Sequence, residues 1–154
     1  MSAMTEYAKN VFNDKALLRD KLKIFLHTTD AAKIESYAQA CEKFFASGGK
    51  QQLGFSATWS WPACIFTGFF FLYRKDYLST VIAFIASLLA SALGWILCGV
   101  CGKYCIAKKF VSLLNTEDDS ELQINGGTHG WVIPVAVVVY ILVTIAAIAA
   151  MPME

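Results

Sequence analysis

The pattern of apolar and polar residues divides the chain near residue 50. In residues 14–27 and 31–46, apolar residues recur at intervals of three and four, and charged residues occupy the opposite face. This spacing is typical of amphipathic helices. Residues 1–50 are therefore predicted to form a cytoplasmic amphipathic helical hairpin that packs on itself or on a membrane surface. Partner binding through one of these helices is the alternative.

Beyond residue 50 the chain contains three long uncharged runs, at residues 53–72, 78–100 and 131–150. About 20 apolar residues in a helix cross the roughly 30 Å of hydrocarbon in a bilayer. Residues 51–154 are therefore predicted to be a transmembrane domain, and the fold class to be an all-α membrane protein with three transmembrane helices. Pro62 would interrupt the backbone hydrogen bonds of a helix in the first run, so a re-entrant segment is the alternative there.

The distribution of charge supports this division and predicts an orientation. Of the 13 basic and 12 acidic residues, 14 lie in residues 1–50, and the net charge of +1 with no Lys/Arg block argues against nucleic acid as a partner. The first residues lack the apolar core of a signal peptide. Basic residues concentrate on the cytoplasmic side of membrane proteins. With three spans, that side is predicted to carry the N-terminus with Lys43, Lys50, Lys103, Lys108 and Lys109, and the other side Arg74 and Lys75.

An aromatic block leads into the basic turn at Arg74-Lys75. It resembles a block in the bacterial membrane proteins grouped as the domain of unknown function 2628 family. That family carries no assigned activity, so the resemblance implies a multi-pass protein of the cell inner membrane and no mechanism. The matching residues are Trp61, Ala63, Phe66, Leu72, Tyr73, Arg74, Lys75 and Tyr77 in the block, Tyr37, Lys43 and Phe44 before it, and Gly102-Lys103-Tyr104 through Lys109 after it.

Small residues recur at intervals of three and four along the second predicted span. Such a stripe lets membrane helices approach closely, so we predict a helix-packing surface there. The stripe consists of Ala83, Ser87, Ser91, Gly94, Cys98 and Gly102.

The cysteines of the same region offer a second interpretation. Cys98, Cys101 and Cys105 share one helix face, and with His129 they have the chemistry of a zinc site. Packing is the favoured interpretation, because cysteine is small and continues the stripe. No cofactor or metal is predicted, and the odd number of five cysteines argues against a disulfide framework.

The basic turn is the remaining candidate site. Arg74 and Lys75, flanked by Tyr73 and Tyr77, have the composition of a site for a phospholipid head group at a membrane boundary. The alternative is that these side chains only anchor the protein by reaching towards water.

The small-residue stripe and an aromatic face at residues 55–77 offer more interaction surface than three short helices cover themselves, so we predict a non-enzymatic accessory or scaffold subunit that acts through helix–helix contacts. No catalytic motif occurs. Its expected partners are the lipid bilayer and another membrane protein or a second copy of itself. The rival hypothesis is a small homo-oligomeric channel or transporter component whose pore is lined by Thr80, Ser87 and Ser91. A thiol or metal enzyme is the third class.

Overall fold

The computed structural model describes residues 4–90 and 92–149, with the side chain of Ala147 excepted. Within these residues the secondary structure is helical throughout, with no strand. The helices are α1 (Glu6–Asn13), α2 (Lys15–Leu26), α3 (Ala31–Ser47), α4 (Trp61–Tyr73), α5 (Tyr77–Ala90), α6 (Ala92–Leu114), α7 (Asp119–Asn125) and α8 (Val132–Ala149).

The two amphipathic helices predicted near the N-terminus are confirmed as α2 and α3, within about one residue at each end. Each begins at an aspartate whose carboxylate accepts hydrogen bonds from two backbone amides of the first turn. Asp14 does so for α2 and Asp30 for α3. Such caps satisfy amides that have no partner inside the helix. The additional helix α1 was not predicted, and Thr5 caps it in the same way.

The first four-helix unit, which we call the cap, consists of α1, α2, α3 and α7 packed on the C-terminal part of α6, residues 106–114. Phe110 of α6 is completely buried at its centre. Its ring centroid lies 6.0 Å from that of Phe12 and 5.1 Å from that of Phe25. One helix from the second half of the chain therefore completes the core of the N-terminal helices.

The second unit, which we call the apolar bundle, consists of α4, α5, α8 and residues 92–105 of α6. α4 runs parallel to α6: the amide of Ser60 donates to the carbonyl of Gly99, and a Cβ at Gly102 would lie 2.5 Å from that of Ala63. Glycine at position 102 therefore permits the two helices to pack at this distance. α8 packs against α4.

The prediction of three transmembrane spans is wrong, because no helix in residues 4–90 and 92–149 is long and apolar enough to cross a membrane. In the first uncharged run, residues 53–60 are not helical, and Pro62 lies in the first turn of α4. Proline fits a first turn but would interrupt a helix that had begun at residue 53. The third run forms α8, which has 18 residues.

The second uncharged run, residues 78–100, forms two helices instead of one. A Cβ at Gly94 would lie 2.6 Å from the carbonyl oxygen of Ala86. In a continuous helix, residues eight positions apart are separated by about 12 Å along the axis. The chain therefore reverses between α5 and α6. Ser91, which the predicted stripe includes, lies outside the described residues.

This reversal also overturns the predicted multi-pass arrangement in the inner membrane and the orientation derived from it. Arg74 and Lys75 were expected on the opposite side from Lys109. The Nζ atom of Lys109 instead donates hydrogen bonds to the backbone carbonyls of Arg74 and Lys75, at 2.9 Å and 3.1 Å. The end of α4, the start of α5 and the part of α6 around Lys109 therefore lie together, at a level of the molecule that we call the base.

Replacing Phe110 with alanine tests how far the cap depends on α6. The substitution removes a ring with no solvent exposure, so we expect the free energy of unfolding to fall by about 3–5 kcal/mol in urea denaturation. Ile124→Ala is the matched control, because Ile124 is 66% exposed and its truncation should change stability by less than about 0.5 kcal/mol. Equal losses from the two substitutions would contradict the assignment of Phe110 to the core.

Candidate functional site

A cleft of about 640 Å³ opens between α3, α4 and α8 beside the middle of α6. Basic and polar side chains from α3, α4 and α6 line one part of it, and aromatic and aliphatic side chains from α4 and α8 line the rest. Pockets for small ligands fall in this range of volume and combine an apolar lining with a few placed polar groups. The polar lining residues are Lys33, Ser36, Tyr37, Ser60, Arg74 and Lys103.

Arg74 is the charged residue with the least solvent exposure in this cleft, at 5%. It follows the last turn of α4, whose final carbonyls accept its backbone amide. Its Nε and Nη1 atoms are buried and have no hydrogen-bond partner. Burial of guanidinium N–H groups without an acceptor is unfavourable, so an acceptor that paired with these two atoms would stabilise the site.

Aromatic rings surround the guanidinium group and do not neutralise it. The guanidinium carbon of Arg74 lies 5.4 Å from the ring centroid of Tyr37 and 5.9 Å from that of Tyr73. Cation–π contacts of this length are attractive but leave the N–H donors available. Burial raises the pKa of Tyr37, and the charge of Arg74 together with a hydrogen bond to its side chain opposes that rise. Tyr37 is therefore a neutral neighbour of the cation.

Lys103 brings a second cation to the same tyrosine. Its Nζ atom lies 6.0 Å from the ring centroid of Tyr37 and donates a hydrogen bond of 2.7 Å to Oγ of Ser36. Burial lowers the pKa of Lys103. Among the described residues that line the cleft there is no aspartate or glutamate. The electrostatic character of this site is therefore cationic.

The predicted head-group residues do not form one site. Arg74 and Tyr73 line the cleft, whereas Lys75 and Tyr77 do not. Lys75 donates to the carbonyl of Ile124 in α7. The hydroxyl oxygen of Tyr77 lies 2.8 Å from Nε2 of His129.

The predicted packing stripe lies mostly inside the chain. Ala83 and Cys98 are 4% and 6% exposed, and Gly94 and Gly102 face α5 and α4 as described above. The hydroxyl of Ser87 donates to the carbonyl of Ala83. These residues therefore bring α4, α5 and α6 of the same chain together.

The cysteines show no sign of a metal site in the part of the chain that the structure describes, where no group of three or more metal-ligating side chains is gathered. Burial raises the pKa of Cys98, Cys101 and Cys105. A raised pKa keeps the thiol protonated at neutral pH, and the thiolate is the form that reacts and binds metal. His129 is instead in contact with Tyr77.

Two residues of the cleft, Tyr37 and Lys103, were not predicted to belong to a binding site with Arg74. They come from α3 and α6, far from α4 in the sequence. The amphipathic pattern indicated that Tyr37 is buried, and this is so. Which element buries it depends on the packing of α3 beside α4 and α6, for which the sequence carries no local signal.

No family model, curated protein or solved structure matches the chain. The resemblance to the domain of unknown function 2628 family therefore stays a prediction from the residues that carry it.

The base of the bundle generates a pH prediction. Burial lowers the pKa of Lys109 to about 8; Asp76 opposes this, and Lys75 and Arg74 add to it. Since an unfolded lysine titrates near pH 10.4, the unfolded chain binds more protons between about pH 8 and pH 10.4, and stability rises with pH there. We expect the native chain to gain stability relative to a Lys109→Met variant as the pH is raised through this interval, measured by urea denaturation.

Lys108→Met is the control for this experiment, because Lys108 is exposed on the neighbouring position of α6. That variant should follow the pH dependence of the native chain. If the native chain and Lys109→Met have parallel stability curves from about pH 7 to pH 11, Lys109 is not buried as described.

Proposed function

We propose that the protein is a non-enzymatic accessory protein that assembles on a lipid surface, into which the apolar bundle inserts from one side. The observation that carries this proposal is the extent of apolar side chains on the outside of the bundle. Large exposed apolar surfaces are rare on monomeric soluble proteins and mark sites of interaction.

The exposed side chains surround α8. Seven consecutive residues, 137–143, are all between 38% and 71% exposed, and every one is Val, Tyr, Ile or Leu. A partner helix covers a stripe of about 100° on a helix of this kind. Hydrocarbon chains cover every direction, so lipid fits this surface better than one protein partner does.

The tip of the α5–α6 hairpin is the most exposed apolar part of the bundle. Leu88 and Leu89 near the end of α5 are 85% and 84% exposed, and Leu93 at the start of α6 is 59% exposed. No charged residue occurs from Tyr77 to Gly102. The 14 residues of α5 correspond to about 21 Å, less than the thickness of a bilayer core. Insertion of a hairpin from one side is consistent with these dimensions.

The base has the composition expected where a protein meets the head groups. Lys75, Lys108 and Lys109 lie there, together with the aromatic rings of Tyr77 and Trp131. Tyrosine and tryptophan are enriched at membrane interfaces, and basic side chains reach from apolar surroundings to the head groups. The cap beyond the base carries ion pairs between its helices, such as Arg19 with Glu35 and Lys21 with Asp119, which suit an aqueous environment.

The accessory role is supported by the way in which the chain uses its polar groups. Many polar contacts cap helices or join helices of the cap, and burial raises the pKa of Cys98, Cys101 and Cys105. In the channel hypothesis, Thr80 and Ser87 would line a pore. Both hydroxyls donate to carbonyls four residues earlier in the chain, at 2.7 Å and 2.8 Å, and Thr80 is 7% exposed. No observation favours the channel over the lipid-associated accessory protein.

Vesicle flotation tests the proposal. The purified chain should float with vesicles of neutral phosphatidylcholine, and a variant carrying Leu88→Lys and Leu89→Lys should bind at least about 100-fold more weakly, because two leucines lose their burial in lipid. A variant carrying Asn10→Lys and Ala16→Lys adds the same charge at exposed positions of the cap and is the matched control.

The control variant should bind vesicles as the native chain does. Circular dichroism should give both variants the helix content of the native chain. Native-like binding by the Leu88/Leu89 variant would refute insertion of the hairpin tip, and failure of the native chain to float would refute lipid association altogether.

A further inference from the structure

The cleft described above contains a cation without a counter-ion. Arg74 is 5% exposed, and its Nε and Nη1 atoms are buried without a hydrogen-bond partner. A second cation, Lys103, contacts the same Tyr37 ring. Nε–H and Nη1–H lie on different edges of the guanidinium plane, and each can donate one charge-assisted hydrogen bond to a carboxylate or phosphate oxygen. The polar part of the cleft is therefore complementary to one oxyanion group.

The rest of the cleft is complementary to hydrocarbon. From Arg74 the lining continues back along α4 through Phe70, Phe69 and Phe66 to Trp61, with α8 on the opposite side. Of these, Phe70 is buried, whereas Phe66 and Trp61 are 49% and 66% exposed, so the apolar part is open at its far end. A free inorganic anion would leave this surface uncovered.

We propose that the cleft binds one anionic amphiphile, an apolar chain that carries a single carboxylate or phosphate group, with Arg74 as the ligand of that group. Lys103 supplies the second positive charge, and the aromatic face of α4 with Ala136 and Val137 of α8 receives the chain. The molecule is a free fatty acid or alkyl phosphate, or a phospholipid of the surrounding layer. This site rests on the cleft and not on the outer surface of the bundle, so it stands or falls separately from lipid insertion.

Titration calorimetry of the purified full chain tests the site, with a nonionic detergent at one fixed concentration throughout. The probes are oleate, dodecyl phosphate, dodecanol and inorganic phosphate. We expect one equivalent of oleate or dodecyl phosphate to bind, and dodecanol and inorganic phosphate to bind at least about tenfold more weakly, since each lacks half of the complementary chemistry.

Three variants separate the head-group contact from general charge. Arg74→Gln should weaken the binding of oleate and dodecyl phosphate at least about tenfold and leave the binding of dodecanol unchanged, because it removes a charge-assisted hydrogen bond. Arg74→Lys keeps the charge without the planar guanidinium group, so its affinity for oleate should lie between those of the native chain and Arg74→Gln. Lys75→Gln is the matched control, because Lys75 is the adjacent cation and points to α7 instead of the cleft.

Thermal unfolding provides a readout that a structural role would not give. Oleate should raise the melting temperature of the native chain and of Lys75→Gln, and should not raise that of Arg74→Gln. Without ligand, Arg74→Gln should melt no lower than the native chain, because it removes an unpaired buried charge. Ala136→Trp, which fills the apolar part of the cleft, should weaken the binding of both oleate and dodecanol.

The proposal is overturned if oleate and dodecanol bind equally, or if Arg74→Gln and Lys75→Gln bind oleate with the same affinity. Vesicles distinguish the two sources of the ligand. If native protein recovered from vesicles of phosphatidylglycerol retains one phospholipid that Arg74→Gln does not retain, the layer itself supplies the amphiphile; retention of added oleate alone identifies a free one. If the native chain retains neither, the site is refuted.

Discussion

The close packing of α6 against its neighbours is the constraint on which the rest of the structure depends. The N-terminal part of this helix presents Gly94 to α5 and Gly102 to α4, so the backbones of the hairpin and of α4 approach where a larger residue would collide. Its C-terminal part presents Phe110 to the N-terminal helices. A single continuous helix therefore fixes the apolar bundle and the polar cap relative to one another.

The position of Arg74 is a consequence of this packing. α4 runs parallel to α6, so its last turn reaches the level of Lys109, and Lys109 binds the carbonyl groups there. α3 of the cap crosses the same level and places Tyr37 over the guanidinium group. The boundary between the polar and the apolar half of the molecule thus coincides with a buried cation. Lipid association and anion binding meet at this boundary, although they rest on separate observations.

The local part of this fold was predictable from the sequence. The apolar periodicity of α2 and α3 located both helices, because their burial follows the helical repeat. The spans were mispredicted, since the absence of charge in a run does not show whether the chain continues as one helix or reverses within the run. Pro62 was a visible signal for the break in the first run. The sequence between α5 and α6 contains no glycine or proline, only Ala90-Ser91-Ala92, of which Ser91 was assigned to the packing stripe.

The candidate site was predictable only in part. Arg74 and Tyr73 stand out because a basic residue beside aromatics interrupts an apolar region. Their connection to Tyr37 and Lys103 depends on three helices that meet in space, and no spacing along the chain encodes that. Lys75 and Tyr77 have the same sequence context as Arg74, yet the end of α4 turns them towards α7 and His129. Lys75 follows the end of α4 with a left-handed backbone (φ 57°), and this turn separates a cleft residue from one that contacts α7.

The most direct test of this account is the distance between spin labels at positions 75 and 108 of the chain in lipid vesicles, measured by double electron–electron resonance on a cysteine-free background. In the structure, the neighbouring Lys109 binds the carbonyl of Lys75, so both labels lie at the base. We expect a single distance below about 25 Å, whereas labels on opposite sides of a bilayer would be separated by more than its roughly 30 Å hydrocarbon core. A distance above that thickness would contradict the return of the α5–α6 hairpin to one side.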